Sequence, residues 1–404
     1  MSSEWSETTW GEIATLEYGK AIRDYQNASG GVPVYGTNGP IGWHHTPLCN
    51  SDGVVIGRKG AYRGVHYSQK PFFVIDTAFY LKPKIELSAR WAYYCLLTYD
   101  INGMDSGSAI PSTSRDEFYK LPVKVPALVE QNRIVEALSL LDDRITLLRE
   151  TNTTLEAIAQ ALFKSWFVDF DSVRAKAEGR QPEGIDATTA ALFPDSFEES
   201  ELGSVPKGWT VRGLDSIADY LNGLALQKFP PSEDSWLPVI KIAQLRKGDT
   251  VGADRAGRNI KPEYVIQNGD VLFSWSGSLE VAIWCGGEGA LNQHLFKVTS
   301  AEFPKWFYYL WTRQHLPAFQ QIAASKATTM GHIQRKHLTD AKVVVPPEEI
   351  IQVLGEQIEP LVDRWLANAE QAQTLTQLRD TLLPRLISGQ LRLPEAETLV
   401  AEAV

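Results

Sequence analysis

Cysteine is scarce in this chain: Cys49, Cys95 and Cys285 are its three in 404 residues, odd in number and far apart. Neither a disulfide framework nor a cysteine zinc site can be drawn from them, and a reducing compartment is the expected setting. No apolar run approaches the ~18 residues that cross a bilayer, and the opening MSSEWSETTW has neither the basic nor the apolar stretch of a secretory leader. The chain is expected to be cytoplasmic, with no membrane partner. Catalytic signatures are missing as well. There is no G-x-x-x-x-G-K-[ST] nucleotide loop, no G-x-G-x-x-G opening a helix and no nuclease-type cluster of acids with lysine. His44 and His45 follow Trp43 in a turn-rich stretch without further ligands at metal-binding spacing, and His332 and His337 lie in a basic run, MGHIQRKH, that suits phosphate better than metal. No catalytic residue, metal site or cofactor of its own is expected.

What is present is an ordinary globular composition, 44% hydrophobic and 22% charged, long enough for two to four domains. The net charge of -10 argues against a nucleic-acid partner until it is divided along the chain. Residues 1–126 are neutral and 205–346 carry +4, while 127–204 carry -8 and 347–404 carry -6. All the acidity sits in two segments.

An internal repeat explains that partition. Trp5, Ile13, Ala14 and Gly19 match Trp209, Ile217, Ala218 and Gly223 at a shift of 204, and WAYY at 91–94 matches WFYY at 306–309 at 215. Arg115, Pro126, Leu141, Asp143 and Arg144 then match Arg335, Pro346, Leu361, Asp363 and Arg364 at 220. Each copy opens with short strands and turns, punctuated by Asn38-Gly39 and Asn268-Gly269, and continues into a short helix near 89–99 or 304–319.

After Pro126 and Pro346-Pro347 the pattern becomes helical. Apolar residues step by four and three through Ile134, Leu138, Leu141, Ile145, Leu148, Leu155, Ala159, Leu162 and Trp166. The second copy does so through Leu354, Ile358, Leu361, Trp365, Ala372, Leu375, Leu382 and Leu386. These are heptad seams, interrupted by Asn152 and Asn368 as register-setting residues can do, with Pro360 expected to bend the second. The fold class expected is α+β: two similar mixed α/β domains joined by two long antiparallel helices, an intramolecular coiled-coil pair with a pseudo-two-fold repeat. The divisions are a first domain at 1–126, a helix at 127–170, a linker at 171–204, a second domain at 205–346, a helix at 347–392 and a tail at 393–404. Leu192, Phe193 and Phe197 in the linker are expected to dock on the domain that follows.

Both domains hold loops in which basic, amide, hydroxyl and aromatic groups alternate with glycine, the chemistry of phosphate and base-edge contact. In the first, YGTNG offers Tyr35, Thr37 and Asn38, and GRKGAYRG offers Arg58, Lys59, Tyr62 and Arg63. SGSAIPSTSR adds Ser106, Ser108, Ser112 and Arg115. In the second, AQLRKGD supplies Gln244, Arg246 and Lys247, and ADRAGRN supplies Arg255 and Arg258. SKATTMGHIQRK supplies Lys326, Thr328, Thr329, Gln334, Arg335 and Lys336.

The segments ALFKSWFVDFDSVRAKAEGR (161–180), ALFPDSFEESELGSVPKGW (191–209) and TLLPRLISGQLRL (381–393), with the repeat, resemble the specificity subunit of type I restriction-modification systems over nearly the whole chain. The resemblance implies two target-recognition domains, each reading one half of a split double-stranded DNA site, joined by helices that fix the spacer. It also implies docking of two methyltransferase subunits on the helices and of restriction/translocase subunits, with S-adenosylmethionine, ATP and Mg belonging to those partners. The family's PPLxEQ motif appears as PALVEQ at 126–131 and PPEEII at 346–351, making the second copy the more divergent. Two other classes are a carbohydrate-binding protein, suggested by 12 Trp and 14 Tyr, and a coiled-coil scaffold that leaves the globular domains unused.

Overall fold

A computed structural model describes residues 5–25, 30–104, 110–325 and 331–403. It divides into two compact units, residues 1–145 with 374–404, and residues 146–373. This partition cuts across the linear one: each long helix gives one part to each unit. No helix among the described residues is long and apolar enough to cross a membrane.

The first unit is built on a four-stranded antiparallel sheet in the order Ala14–Tyr18, Ala78–Pro83, Gly53–Gly57, Val65–Ser68. GVVIG at its centre is buried at every position, as a β-branched run flanked by glycine allows. A second sheet pairs Val32–Gly36 with Gly39–His44 antiparallel and with Phe73–Val74 parallel. Ser6–Thr9 pairs with Pro122–Val125. Helix Ala89–Leu96 starts where the Ser88 hydroxyl accepts from the Trp91 N–H, and buries Trp91, Tyr94 and Leu96.

The second unit repeats this plan with one strand more, Val265–Ile266, which pairs with Gly289–Leu291. Its four-stranded sheet runs Asp219–Asn222, Leu295–Thr299, Val271–Ser274, Glu280–Ile283, all antiparallel. Trp236–Ile240 pairs antiparallel with Arg255–Gly257 and parallel with Gly289–Leu291, the same mixed arrangement as before. Thr210–Gly213 pairs with Lys342–Val345. The matched glycines have one physical cause: a Cβ on Gly19 would lie 2.0 Å from the Ile75 carbonyl oxygen, and one on Gly223 2.2 Å from that of Asn292.

The unit also takes in the linker, as helices Asp171–Ala177 and Ala187–Leu192 and the hairpin of Phe197–Ser200 with Gly203–Pro206. Phe193 is buried and packs against Trp209, with Leu192 and Phe197 against the same core.

The long helices span Leu128–Phe167 and Glu348–Ile387, 40 residues each, or about 60 Å. The second continues through Pro360. In the first unit Ile134, Leu138, Leu141, Ile145, Leu375 and Leu382 are buried, and Asp142 accepts hydrogen bonds from Arg379 Nη1 at 2.9 Å and Tyr94 Oη at 2.6 Å. In the second unit Leu148, Leu354 and Ile358 are buried, whereas Leu155, Leu162, Leu361 and Trp365 are only half-buried because they lie at the edge of the core. There Asn368 Nδ2 donates to Asn152 Oδ1 and Asn152 Nδ2 to the Trp365 carbonyl, both at 2.9 Å. Further along, Leu155 and Ala159 lie with Leu361 and Val362. Numbers fall on one helix as they rise on the other, so the two run antiparallel in this unit.

Burial pushes the Cys49 thiol up to about 11 and those of Cys95 and Cys285 to about 12, with Glu370 adding to the last. Burial thus favours the neutral thiol at all three positions.

Candidate nucleic-acid interface

At one end of each four-stranded sheet, four loops are tied together by the same backbone hydrogen bonds. In the first unit Gly19 N–H donates to Ala78 O at 3.1 Å and Lys20 N–H to Val74 O at 2.9 Å. Arg58 N–H reaches Thr77 O and Thr113 N–H reaches Arg58 O, both at 2.9 Å, and Gly60 N–H reaches Pro111 O at 3.0 Å. In the second, Gly223 N–H donates to Leu295 O and Leu224 N–H to Leu291 O, both at 3.0 Å. Trp275 N–H reaches His294 O at 3.3 Å, Ile333 N–H reaches Trp275 O at 3.0 Å, and Gly277 N–H reaches Gly331 O at 2.8 Å. A β-bridge joins Lys59 to Ser112 in one and Ser276 to His332 in the other. The backbone is thus one platform built twice.

The side chains on the platform differ. In the first unit the Arg58 guanidinium lies over the Tyr18 ring at 4.7 Å and donates to the Asp76 carbonyl at 2.9 Å, with Arg115 over the same ring at 5.1 Å. Lys59 and Asp76 are exposed, Ser112 is half-buried, and Tyr62 is 79% exposed at its loop tip. Thr37 and Asn38 turn the neighbouring hairpin onto that loop, where the Thr37 carbonyl accepts from Gly64 N–H at 3.1 Å.

In the second unit Trp275 takes the place of Arg58, packed on Phe296, His294 and His332, and its Nε1 donates to Asn222 Oδ1 at 2.9 Å. His294 Nδ1 lies 2.8 Å from the buried Ser276 hydroxyl, and its Nε2 lies 3.3 Å from the Gln293 amide nitrogen. Arg335 stands over Phe296 at 5.7 Å and donates to Tyr220 O at 3.1 Å. Gln334 and Lys336 beside it are exposed. Arg246 lines a cleft of about 330 Å³ with Gly277, Ser278 and Gly331, and Lys247 is exposed on the same short helix, Ile242–Lys247.

Several sequence-chosen residues do other things. Arg63 is 3% exposed, its guanidinium donating to the carbonyls of Gly60 at 3.0 Å and Asn102 at 2.6 Å, so it braces the loop from inside and is not placed for phosphate. Tyr35 packs edge-on against Phe72 beside a buried cluster. Gln244 is buried, and its Oε1 accepts from Lys241 N–H as a helix cap. Arg258 is paired with Glu288 and Arg255 lies over Trp236 at 4.2 Å, on the second sheet. Ser106, Ser108, Lys326, Thr328 and Thr329 lie outside the described residues.

Two globular units with one duplicated loop platform and divergent side chains suit recognition of two different segments of one extended polymer. The sequence profile of the type I restriction modification DNA specificity domain matches residues 2–157 and again 206–377. The chain belongs to this family. The MjaIX specificity subunit of a type I restriction enzyme from Methanocaldococcus jannaschii is 24% identical over 326 residues, 78% of this chain and 71% of its own length. The HindI specificity subunit from Haemophilus influenzae is 26% identical over 329 residues, 70% of this chain and 71% of its own. The fold is that of the type I restriction-modification S subunit from M. genitalium, with a TM-score of 0.58 at 16% identity and 96% of each chain covered. One specificity domain falls on each copy of the repeat, so the family's duplicated domain and the duplicated platform coincide.

Sequence reasoning passed over Tyr18, Asp76, Asn222, Trp275, Gln293 and His294. The signal was there in the matched pair Gly19 and Gly223, which marks the close backbone approach on which the platform is built, but the other platform residues are mostly not basic.

Proposed function

We propose that this chain is the non-catalytic DNA-reading subunit of a type I restriction-modification complex, in which each unit reads one half of a split, asymmetric target. The observation that carries the reading is the platform: the same backbone hydrogen bonds in both units, with different side chains. A shared frame gives both units one way of approaching a groove, and different side chains give them different half-sites. The helices that connect the units set the spacer. Acidic residues, on the helices and more densely in the linker at 171–204, repel DNA but suit protein partners, so methyltransferase subunits dock on this part of the chain and restriction/translocase subunits join the assembly. Methyl transfer, translocation and cleavage, with S-adenosylmethionine, ATP and Mg, belong to those partners.

Exchanging residues 205–346 for the equivalent segment of a relative tests this in the whole complex. Methylome sequencing is expected to return a target altered in one half only, and a target altered in both halves would refute independent reading. Inserting residues near Thr151–Thr154 is expected to change the preferred spacer and leave both half-sites as they were.

A further inference from the structure

The two platforms differ most informatively at one position. Lys20 N–H bonds Val74 O and Leu224 N–H bonds Leu291 O, while Arg58 N–H bonds Thr77 O and Trp275 N–H bonds His294 O. Counting back one residue from Thr77 and from His294 makes Asp76 and Gln293 equivalent, each in the short loop that leads into the sheet's second strand. Asp76 is exposed and Gln293 half-buried. Arg58 donates to the Asp76 carbonyl at 2.9 Å, and the backbone N–H of exposed Lys59 donates to the carbonyl of the next residue, Thr77, at 3.2 Å.

An acid on a surface meant for phosphates is repelled unless it meets a donor. In the major groove cytosine N4 offers a donor with no acceptor beside it, the partner for which a carboxylate is suited, whereas an amide pairs in two-fold fashion with adenine N6 and N7. A residue identical in both units, such as Arg115 and Arg335, cannot encode a difference between two half-sites. Asp76 and Gln293 can, because they stand at the same place on the same frame with different hydrogen-bonding capacity. His294 supports this assignment: ring contact with Trp275 and the Ser276 hydroxyl at 2.8 Å hold it in place beside the Gln293 amide.

We propose that Asp76 and Gln293 are equivalent base-reading residues, Asp76 selecting a cytosine in one half-site and Gln293 an adenine in the other. This rests on the DNA-reading function proposed above. The test is selection of random duplex DNA by the complex of this chain with its methyltransferase subunits, as wild type and as Asp76→Gln and Gln293→Asp. Each variant is expected to change the preferred base at one position of one half-site, from C to A for Asp76→Gln and from A to C for Gln293→Asp, leaving the other half intact. If a variant enriches no sequence, Asp76→Ala and Gln293→Ala replace it; they are expected to relax discrimination at that position by about 5- to 150-fold. A wild type that enriches a split site while the variants return the same bases with the same discrimination would overturn the assignment alone. A wild type that enriches no split site would overturn the DNA-reading function and this assignment with it.

Discussion

The buried asparagine pair offers a quantitative test of how the helices are held. Asn368 is 2% and Asn152 9% exposed, and each carboxamide spends a donor on the opposite helix, at 2.9 Å in both cases. Asn368→Leu takes the donor from Asn152 Oδ1 and faces that oxygen with a methyl group. Losing the bond and stranding a buried acceptor costs about 1–3 kcal/mol. Asn152→Leu removes both cross-helix bonds and strands the Asn368 amide, a loss of about the same size. The double leucine variant removes both polar groups together and is expected within about 1 kcal/mol of wild type, or above it. The cycle therefore predicts a coupling of about 2–6 kcal/mol, the sum of the two single losses, read from denaturant unfolding followed by helical circular dichroism and tryptophan fluorescence. Single variants as stable as wild type, with no coupling, would show that the pair does not hold the seam.

Arg63→Ala is expected to destabilise the first unit by about 2–4 kcal/mol, because two backbone carbonyls lose their donor; thermal melting checks it, and a fully stable variant that no longer binds DNA would restore Arg63 as a DNA-binding side chain. Arg335→Ala with Lys336→Ala is expected to weaken binding to all sequences and to lower the salt slope by about one for each phosphate no longer neutralised, measured by anisotropy across a salt series. An unchanged slope would place both residues off the DNA. His315 in the folded chain has its pKa lowered by burial, partly offset by its hydrogen bond with the Lys342 carbonyl, whereas the unfolded chain protonates near 6.5. Its contribution is complete above that value and is lost as pH falls toward the folded pKa. Melting at pH 7.5 and 5.5 should show a drop that His315→Phe reduces, and an equal drop in the variant would refute the assignment.

The helices were legible because a heptad is a local pattern: Leu138, Leu141, Leu354 and Leu382 are buried where their spacing put them. Asn152 and Asn368 were legible for the same reason, as polar breaks in an apolar series. The platform was half legible. Arg58, Lys59, Arg115 and Arg335 sit on it, but residue type does not say which way a side chain turns inside a glycine-rich loop, and Arg63 turned inward. Asp76 and Gln293 escaped because their meaning comes from equivalence in space, which strand pairing across some 20 to 60 residues creates. The partition into units was illegible, since it depends on what each part of a helix meets in space: Asp142 meets Tyr94 and Arg379, and Glu156 meets Tyr309.

That partition has a consequence for how the protein is made. The first unit needs residues from both ends of the chain: Asp142 waits for Arg379, Arg133 for Glu397, and Trp5 for the turn at Gly389. Ribosomes add about 5–20 residues per second, so the stretch between 145 and 374 takes roughly ten to fifty seconds to appear. Throughout that interval the nascent chain displays Leu138 and Leu141 without Leu375 and Leu382, and the second unit is complete only as the interval ends. The portion synthesised first is completed last, so a stop codon just after residue 373 would leave the second unit whole and the first unfinished.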